Sequence, residues 1–310
     1  MTAMTTILGA GGPIGNELAK ILSARKTPFR LVSRNPKPAA GGALFPADLA
    51  DREQTVRAVA GSSVVHLLSG LKYNLGVWQE LWPRIMANTI EACKRAEAKL
   101  IFFDNVYMYG LVDGPMTEDT PYNPCSAKGE VRAGIATKLM DEAKAGNIKA
   151  SIARAADFYG TENKNSFFDM MVLDNYAKKA RAQWLGNPSK LHNFSYIPDM
   201  GKGMYLLGQN STSDNQVWHM PTQQALLGKQ FIEIAAGIYK VEPKYFAINK
   251  FLLWSYGLFN KQVMGTVEMY YQYNHDYIFD SSKFEKAFNF KPATYEDGIK
   301  YSSQTLYIAS

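Results

Sequence analysis

The stretch TTILGAGGPIGNELAKIL, Thr5 to Leu22, places glycines at Gly9, Gly12 and Gly15, between an apolar β-branched run and an amphipathic segment. A strand that ends in Gly-x-x-Gly-x-x-Gly and opens a helix is built to receive a diphosphate. Gly9 permits the tight turn, and Gly12 lets the backbone approach a pyrophosphate with no Cβ in the way. Gly15 lets the helix lie close to the strand. The helix N-terminus then offers N–H groups and a partial positive charge to the phosphates. Gly9, Gly12, Pro13, Ile14 and Gly15 are therefore expected to bind a dinucleotide.

The end of the second strand, LVSRNPKP, decides which dinucleotide. A carboxylate there hydrogen-bonds the ribose 2′-hydroxyl of NAD, whereas an arginine accommodates the 2′-phosphate of NADP. Arg34 stands at this point, with Arg30 and Lys37 nearby and no acid. NADP is the expected cofactor, with NAD as the alternative.

Periodicity extends this start into an α/β fold. Strands are expected at Ile7–Leu8, Phe29–Ser33, Val64–Leu68, Leu100–Phe103 and Ala150–Arg154. Helices are expected at Asn16–Lys26, Arg52–Val59, Val77–Ala96 and Arg132–Lys144. The alternation calls for a Rossmann-type, doubly wound parallel sheet with helices on both faces. Beyond Gly160 the regularity fades and aromatics become dense, as in WSYGLF and EMYYQYNHDYIF. The expected division is a nucleotide-binding domain over 1–160, completed by parts of 190–220, and a smaller, mixed α/β C-terminal substrate-binding cap over 161–310.

Composition narrows the function classes. The net charge of +6 comes from dispersed Lys and Arg with no basic tract, so no nucleic-acid partner is expected. The most apolar late stretch, FLLWSYGLF, is far shorter than the ~20 residues of a membrane span and is bracketed by Lys250 and Lys261. No membrane partner is expected. Two cysteines and no secretory leader suit the cytoplasm. His66, His192, His219 and His275 lack metal-ligand spacing, so no metal is expected, and His66 reads as a satisfied core residue. No Gly-x-Ser-x-Gly elbow supports a hydrolase.

Taken together, these motifs resemble the extended short-chain dehydrogenase/reductase family, the NAD(P)-dependent epimerase/dehydratase group. PADLAD resembles the acidic-hydrophobic pair that contacts adenine, which implies Asp48 and Leu49. VVHLLSG resembles the strand whose end flanks the nicotinamide ribose, which implies Leu68 and Ser69. MANTIEAC places Asn88 like the family's structural asparagine. VYMYG, ARAADFYG and the closing FDSSKFEKAFNFKPATYEDGIK are similar to further family motifs. The resemblance implies a small-molecule substrate and allows a homodimer.

The departures fall at the catalytic centre. Family members carry a Ser or Thr before V-Y-G and a Tyr-x-x-x-Lys at the start of the next helix, in which lysine lowers the tyrosine pKa for proton transfer. No Tyr-x-x-x-Lys occurs in this chain. Counting from Gly110 and Arg154 puts Asn105 at the serine position, Lys128 at the tyrosine position and Arg132 at the lysine position. A slipped register would instead use Gly134 and Lys138. Asn105 is expected to hold a substrate oxygen, Arg132 to keep the ribose contact, and Lys128 or Tyr107 to handle the proton. Asp157 is a further candidate for orienting substrate, and Asp199 reads as a helix cap. Ala155, Ala156 and Asp157 stand where a sugar-nucleotide enzyme would carry R-P-x-N residues, which weakens that substrate class. The expectation is an oxidoreductase or epimerase/dehydratase-like enzyme acting on a carbonyl or alcohol. The alternative is a nucleotide-binding sensor that has lost turnover.

Overall fold

The structure, a computed structural model, describes residues 4–160 and 166–308. In chain order come β1 (Met4–Leu8), α1 (Pro13–Ala24), β2 (Phe29–Ser33), β3 (Ala43–Pro46), α2 (Arg52–Val59), β4 (Ser62–Leu67), α3 (Leu75–Ala96), β5 (Lys99–Asp104), β6 (Pro115–Met116) and α4 (Ala127–Lys144). Next are β7 (Ala150–Arg154), β8 (Asp157–Tyr159), α5 (Asp174–Ala177), β9 (Ala182–Leu185), β10 (Leu191–His192), β11 (Phe194–Tyr196), α6 (Ile197–Gln209) and β12 (Gln216–His219). The chain closes with β13 (Leu226–Leu227), α7 (Gly228–Tyr239), β14 (Tyr245–Ile248), α8 (Lys250–Gly257), α9 (Lys261–Val267), α10 (Tyr271–Asn274), β15 (Ile278–Phe279), α11 (Ser282–Phe288) and α12 (Tyr295–Ile308).

Contacts group the chain into two units. The first comprises residues 4–108, 127–155 and 200–220. Its strands form one parallel sheet in the order β12-β7-β5-β4-β1-β2-β3. Strand order reverses between β1 and β4, the point at which doubly wound sheets bind ligands. The central strands are buried on both faces by Ile7, Leu8, Val65, Leu67, Ile101 and Phe102, which is why they read as continuous apolar runs. This is the Rossmann-type architecture that the alternation predicts. Two strands escaped that reading. β3 is a mostly exposed edge strand without alternation, and β12 joins the sheet beside β7 from far along the chain.

Helix starts also differ from expectation. α1 begins at Pro13 rather than Asn16, because proline is preorganised for the first helical position. α4 begins at Ala127, five residues ahead of Arg132, which puts Lys128 in its first turn.

The second unit comprises residues 109–126, 156–160, 166–199 and 221–308. It has small two-stranded sheets, β8 with β11, β9 with β14, β10 with β13 and β6 with β15. Its core is aromatic, with Tyr159, Phe168, Trp184, Phe194, Phe231 and Tyr295 packed together. Asp199 lies in the first turn of α6, buried, and accepts the Ala293 N–H at 2.7 Å.

Candidate active site

The loop after β1 sits at the sheet's switch point. Gly9 and Ala10 both donate their N–H to Val32 O, at 2.9 and 3.0 Å, which locks the turn onto β2. Gly9 has φ +86°, and a Cβ built on it would lie 2.5 Å from Ser69 Cα, so the fold itself requires glycine there. Gly12 differs. Its φ is an ordinary −79°, and a Cβ on it would meet nothing within 4 Å. No described residue therefore accounts for glycine at this position, and backbone left this open is free to approach a ligand closely. At Gly15 a Cβ would be 3.5 Å from Leu68 Cδ1 and 3.6 Å from Ile7 Cγ2, ordinary contact that leaves room for a methyl group.

Above this loop α1 presents an uncapped start. Gly12 provides no side chain, and there is no acid in the first turn. Asn16 N–H bonds Gly12 O, and Pro13 has no N–H, so Ile14 and Gly15 carry the outward N–H groups. Ser69, after β4, has a buried Oγ with no hydrogen-bond partner among the described residues. An open cradle at Gly12, an uncapped helix and an orphaned hydroxyl fit a dinucleotide diphosphate and its ribose. Leu68 lies beside Ser69 and is tied to β1 through its N–H to Leu8 O at 2.8 Å.

Farther out, Arg34 is exposed just past β2. Arg30 is engaged elsewhere, donating to Ala58 O and lying 5.3 Å from the Phe45 ring centroid. Asp48 closes a turn by accepting from Ala50 N–H at 2.9 Å. Leu49 is buried, and its carbonyl accepts from Asn88 Nδ2 at 3.0 Å, which ties this loop to α3.

The other candidates cluster where β4 and β5 end and α4 begins. Asn105 Oδ1 accepts the Tyr107 N–H at 3.1 Å, which leaves its Nδ2 as a donor group. Tyr107 stacks on Trp78 with centroids 6.2 Å apart, and Trp78 meets Tyr73 edge-on at 5.6 Å. Lys128 is buried, only 1% exposed, with its ammonium 4.5 Å from the Tyr73 ring centroid, a cation–π arrangement.

Arg132 faces the interior. Its Nε donates to Asp104 Oδ1 at 2.7 Å, and its guanidinium lies 4.4 Å from the Trp82 ring centroid and 4.9 Å from that of Phe102. Arg154 Nε approaches the other Asp104 oxygen at 3.6 Å. The three charges are almost completely buried. Asp104 thus joins the strand ends of β5 and β7 to α4, and Arg132 serves that junction. In the slipped register, Gly134 and Lys138 are both exposed.

Sequence reasoning missed Tyr73, Trp78 and the Asp104 partnership. The aromatics in LKYNLGVW, directly after a buried strand, were the available signal. In the second unit, Asp157 Oδ2 accepts from Tyr273 Oη at 2.5 Å and lies 3.2 Å from His192 Nε2. The His192 ring is sandwiched between Tyr273 and Tyr277, at 5.2 and 4.4 Å. Far from being a loose turn residue, Asp157 is held in a fixed position. His66 is buried as expected, but its Nδ1 has no hydrogen-bond partner among the described residues.

The model of the NAD dependent epimerase/dehydratase family matches residues 5–220, and the chain belongs to that family, whose members are enzymes working with a nicotinamide cofactor. Solved structures share the fold along the whole length. UDP-glucose 4-epimerase of Thermus thermophilus, complexed with NAD, is 15% identical with a TM-score of 0.80, covering 99% of this chain and 100% of that one. The dTDP-glucose 4,6-dehydratase of Streptomyces venezuelae, also with NAD, is 14% identical at TM-score 0.81, covering 98% and 97%. UDP-N-acetylglucosamine 4-epimerase of Bacillus cereus is 13% identical at TM-score 0.79, covering 98% and 96%. No curated protein matches the chain by sequence.

Proposed function

We propose that this protein binds NADP(H) and carries out a redox step at a carbonyl or alcohol carbon of a small molecule, with Lys128 in place of the usual tyrosine. The observation that carries this reading is the placement of Lys128. It is a buried lysine in the first turn of α4, beside the loop that follows β4. When bound, the nicotinamide supplies or accepts the hydride.

The chain's own residues do the rest. Ile14 and Gly15 N–H groups would hold the diphosphate over Gly12, Ser69 the nicotinamide ribose, Asp48 and Leu49 the adenine end, and Arg34 the 2′-phosphate. Asn105 Nδ2 would donate to the substrate oxygen, and the Lys128 ammonium would give up or recover the proton. Arg132 supports this site by securing α4 to Asp104, and Tyr107 walls it through its stack on Trp78. Sugar nucleotides, the substrates in several neighbours' names, are one class to test. Ala155 and Ala156, which stand where a sugar-nucleotide enzyme would carry R-P-x-N residues, leave a smaller carbonyl compound and an aromatic ketone equally open.

The test is NADPH consumption against aldehydes, ketones and sugar nucleotides, run with NADH in parallel. Turnover preferring NADPH, abolished in Lys128→Ala while NADPH still binds, is the expected result. Tight binding with no turnover on any substrate would favour a nucleotide sensor. Turnover retained in Lys128→Ala but lost in Tyr107→Phe would move the proton to the phenol.

A further inference from the structure

The short helices α8 and α9 carry a surface that the proposed chemistry does not use. Phe251, Leu252, Trp254, Tyr256, Leu258 and Phe259 are six of the twelve exposed large hydrophobic side chains among the described residues. Phe259, at the turn between the two helices, is 91% exposed. The opposite face of α8 is already occupied. Leu253 packs with Leu185, Tyr270 and Tyr273, and Gly257 lies against Met264 of α9. The hairpin is thus anchored by one narrow strip while most of α8 presents apolar and aromatic groups to water. A patch this concentrated marks an interaction surface.

Charge indicates what it meets. Between Glu242 and Glu268 there is no carboxylate; Lys244 is paired with Glu242 at 2.5 Å, while Lys250 and Lys261 stand exposed at the N-terminal ends of α8 and α9. An apolar tip of Trp, Tyr and Phe with a lysine collar suits the boundary of an anionic bilayer, where rings enter the headgroup level and ammonium groups meet phosphates. A second copy of the chain suits it less well, because a two-fold interface would set Lys250 and Lys261 against their counterparts with no acid between Glu242 and Glu268 to answer them. No helix among the described residues is long and apolar enough to cross a membrane, so the expectation of no membrane partner, which rested on the lack of a span, leaves peripheral contact open. We propose that the α8–α9 tip docks the protein peripherally on anionic phospholipid surfaces, with Leu258 and Phe259 entering the interface and Lys250 and Lys261 contacting headgroups.

Sedimentation with vesicles tests this on the full chain. The lipids are phosphatidylcholine alone, or phosphatidylcholine with about one-third phosphatidylserine. The protein should sediment with the anionic vesicles, far less with neutral ones, and be released by high salt. The double variant Leu258→Ser/Phe259→Ser should weaken binding by about tenfold or more, and Lys250→Glu/Lys261→Glu should weaken it comparably. Circular dichroism and melting temperature check that both variants fold, and the sedimentation readout depends on neither cofactor nor turnover. Absence of sedimentation, or binding unchanged in Leu258→Ser/Phe259→Ser, overturns the proposal. So does a dimer in analytical ultracentrifugation that this variant dissolves while wild type ignores lipid, an outcome that assigns the face to a second copy.

Discussion

Gly9 and Gly12 look equivalent in the sequence, yet the structure requires glycine at only one of them. At Gly9 a methyl group would meet Ser69 backbone at a positive φ, so Gly9→Ala should destabilise the fold, by about 2 kcal/mol or more. At Gly12 the methyl group has open space and an ordinary φ, so Gly12→Ala should leave the melting temperature close to wild type. Its effect should appear in NADPH affinity, lowered about tenfold or more because the Cβ keeps the diphosphate from the backbone. Thermal denaturation and fluorescence titration of both variants separate the two roles. An unchanged NADPH affinity in Gly12→Ala would remove the diphosphate from this loop.

At the scale of elements, the junction of β5, β7 and α4 depends on a buried carboxylate between two arginines. Removing one partner of such a cluster leaves charge uncompensated in a medium that solvates it poorly. Arg132→Met should therefore cost about 3 kcal/mol in urea denaturation, tempered by Arg154, which still faces Asp104. Lys138→Ala, on the exposed side of the same helix, should change neither stability nor turnover. The comparison tests whether Arg132 secures the helix or works in the reaction. A variant as stable as wild type but inactive would point to the reaction. Spacing alone placed Arg132 beside Lys128 but did not reveal its partner, because Asp104 lies on another element, 28 residues earlier. Local patterns were legible for the same reason that distant ones were not. β2, α2 and β7 occupy the stretches that periodicity marks, since alternation and apolar runs are written within a single element. β12, the Asp104 junction and the Asp157–His192–Tyr273 cluster are made by residues remote in sequence. The exposure of α8 was equally hidden, because a short apolar run reads the same in a core or on a surface.

At the scale of the whole molecule, the sheet holds a group that links its stability to pH. His66 lies on β4 with Ile7 and Ile101 beside it in register, and a Cβ on Gly208 of α6 would be 3.2 Å from its Nε2. Burial, and then the nearby charge of Lys99, push its pKa down to about 3 from an ordinary 6.5. Between those values the unfolded chain takes up a proton that the folded chain refuses, so stability rises with pH across the interval and is lost on acidification. One such group contributes a slope of about 1.4 kcal/mol per pH unit, or about 3 kcal/mol between neutrality and pH ~4. Asp169 acts in the opposite sense. Burial raises its carboxyl to about 7, so its protonation in the folded state favours folding as pH falls from that value toward 3.8. Because the two oppose each other, the total acid response does not isolate His66, but a comparison with His66→Leu does. Urea midpoints measured from neutral to acid pH should fall more steeply in wild type than in His66→Leu, the curves separating below pH ~6.5. Parallel curves would mean that the imidazole is hydrated or protonated inside the sheet, and its burial there would have to be redrawn.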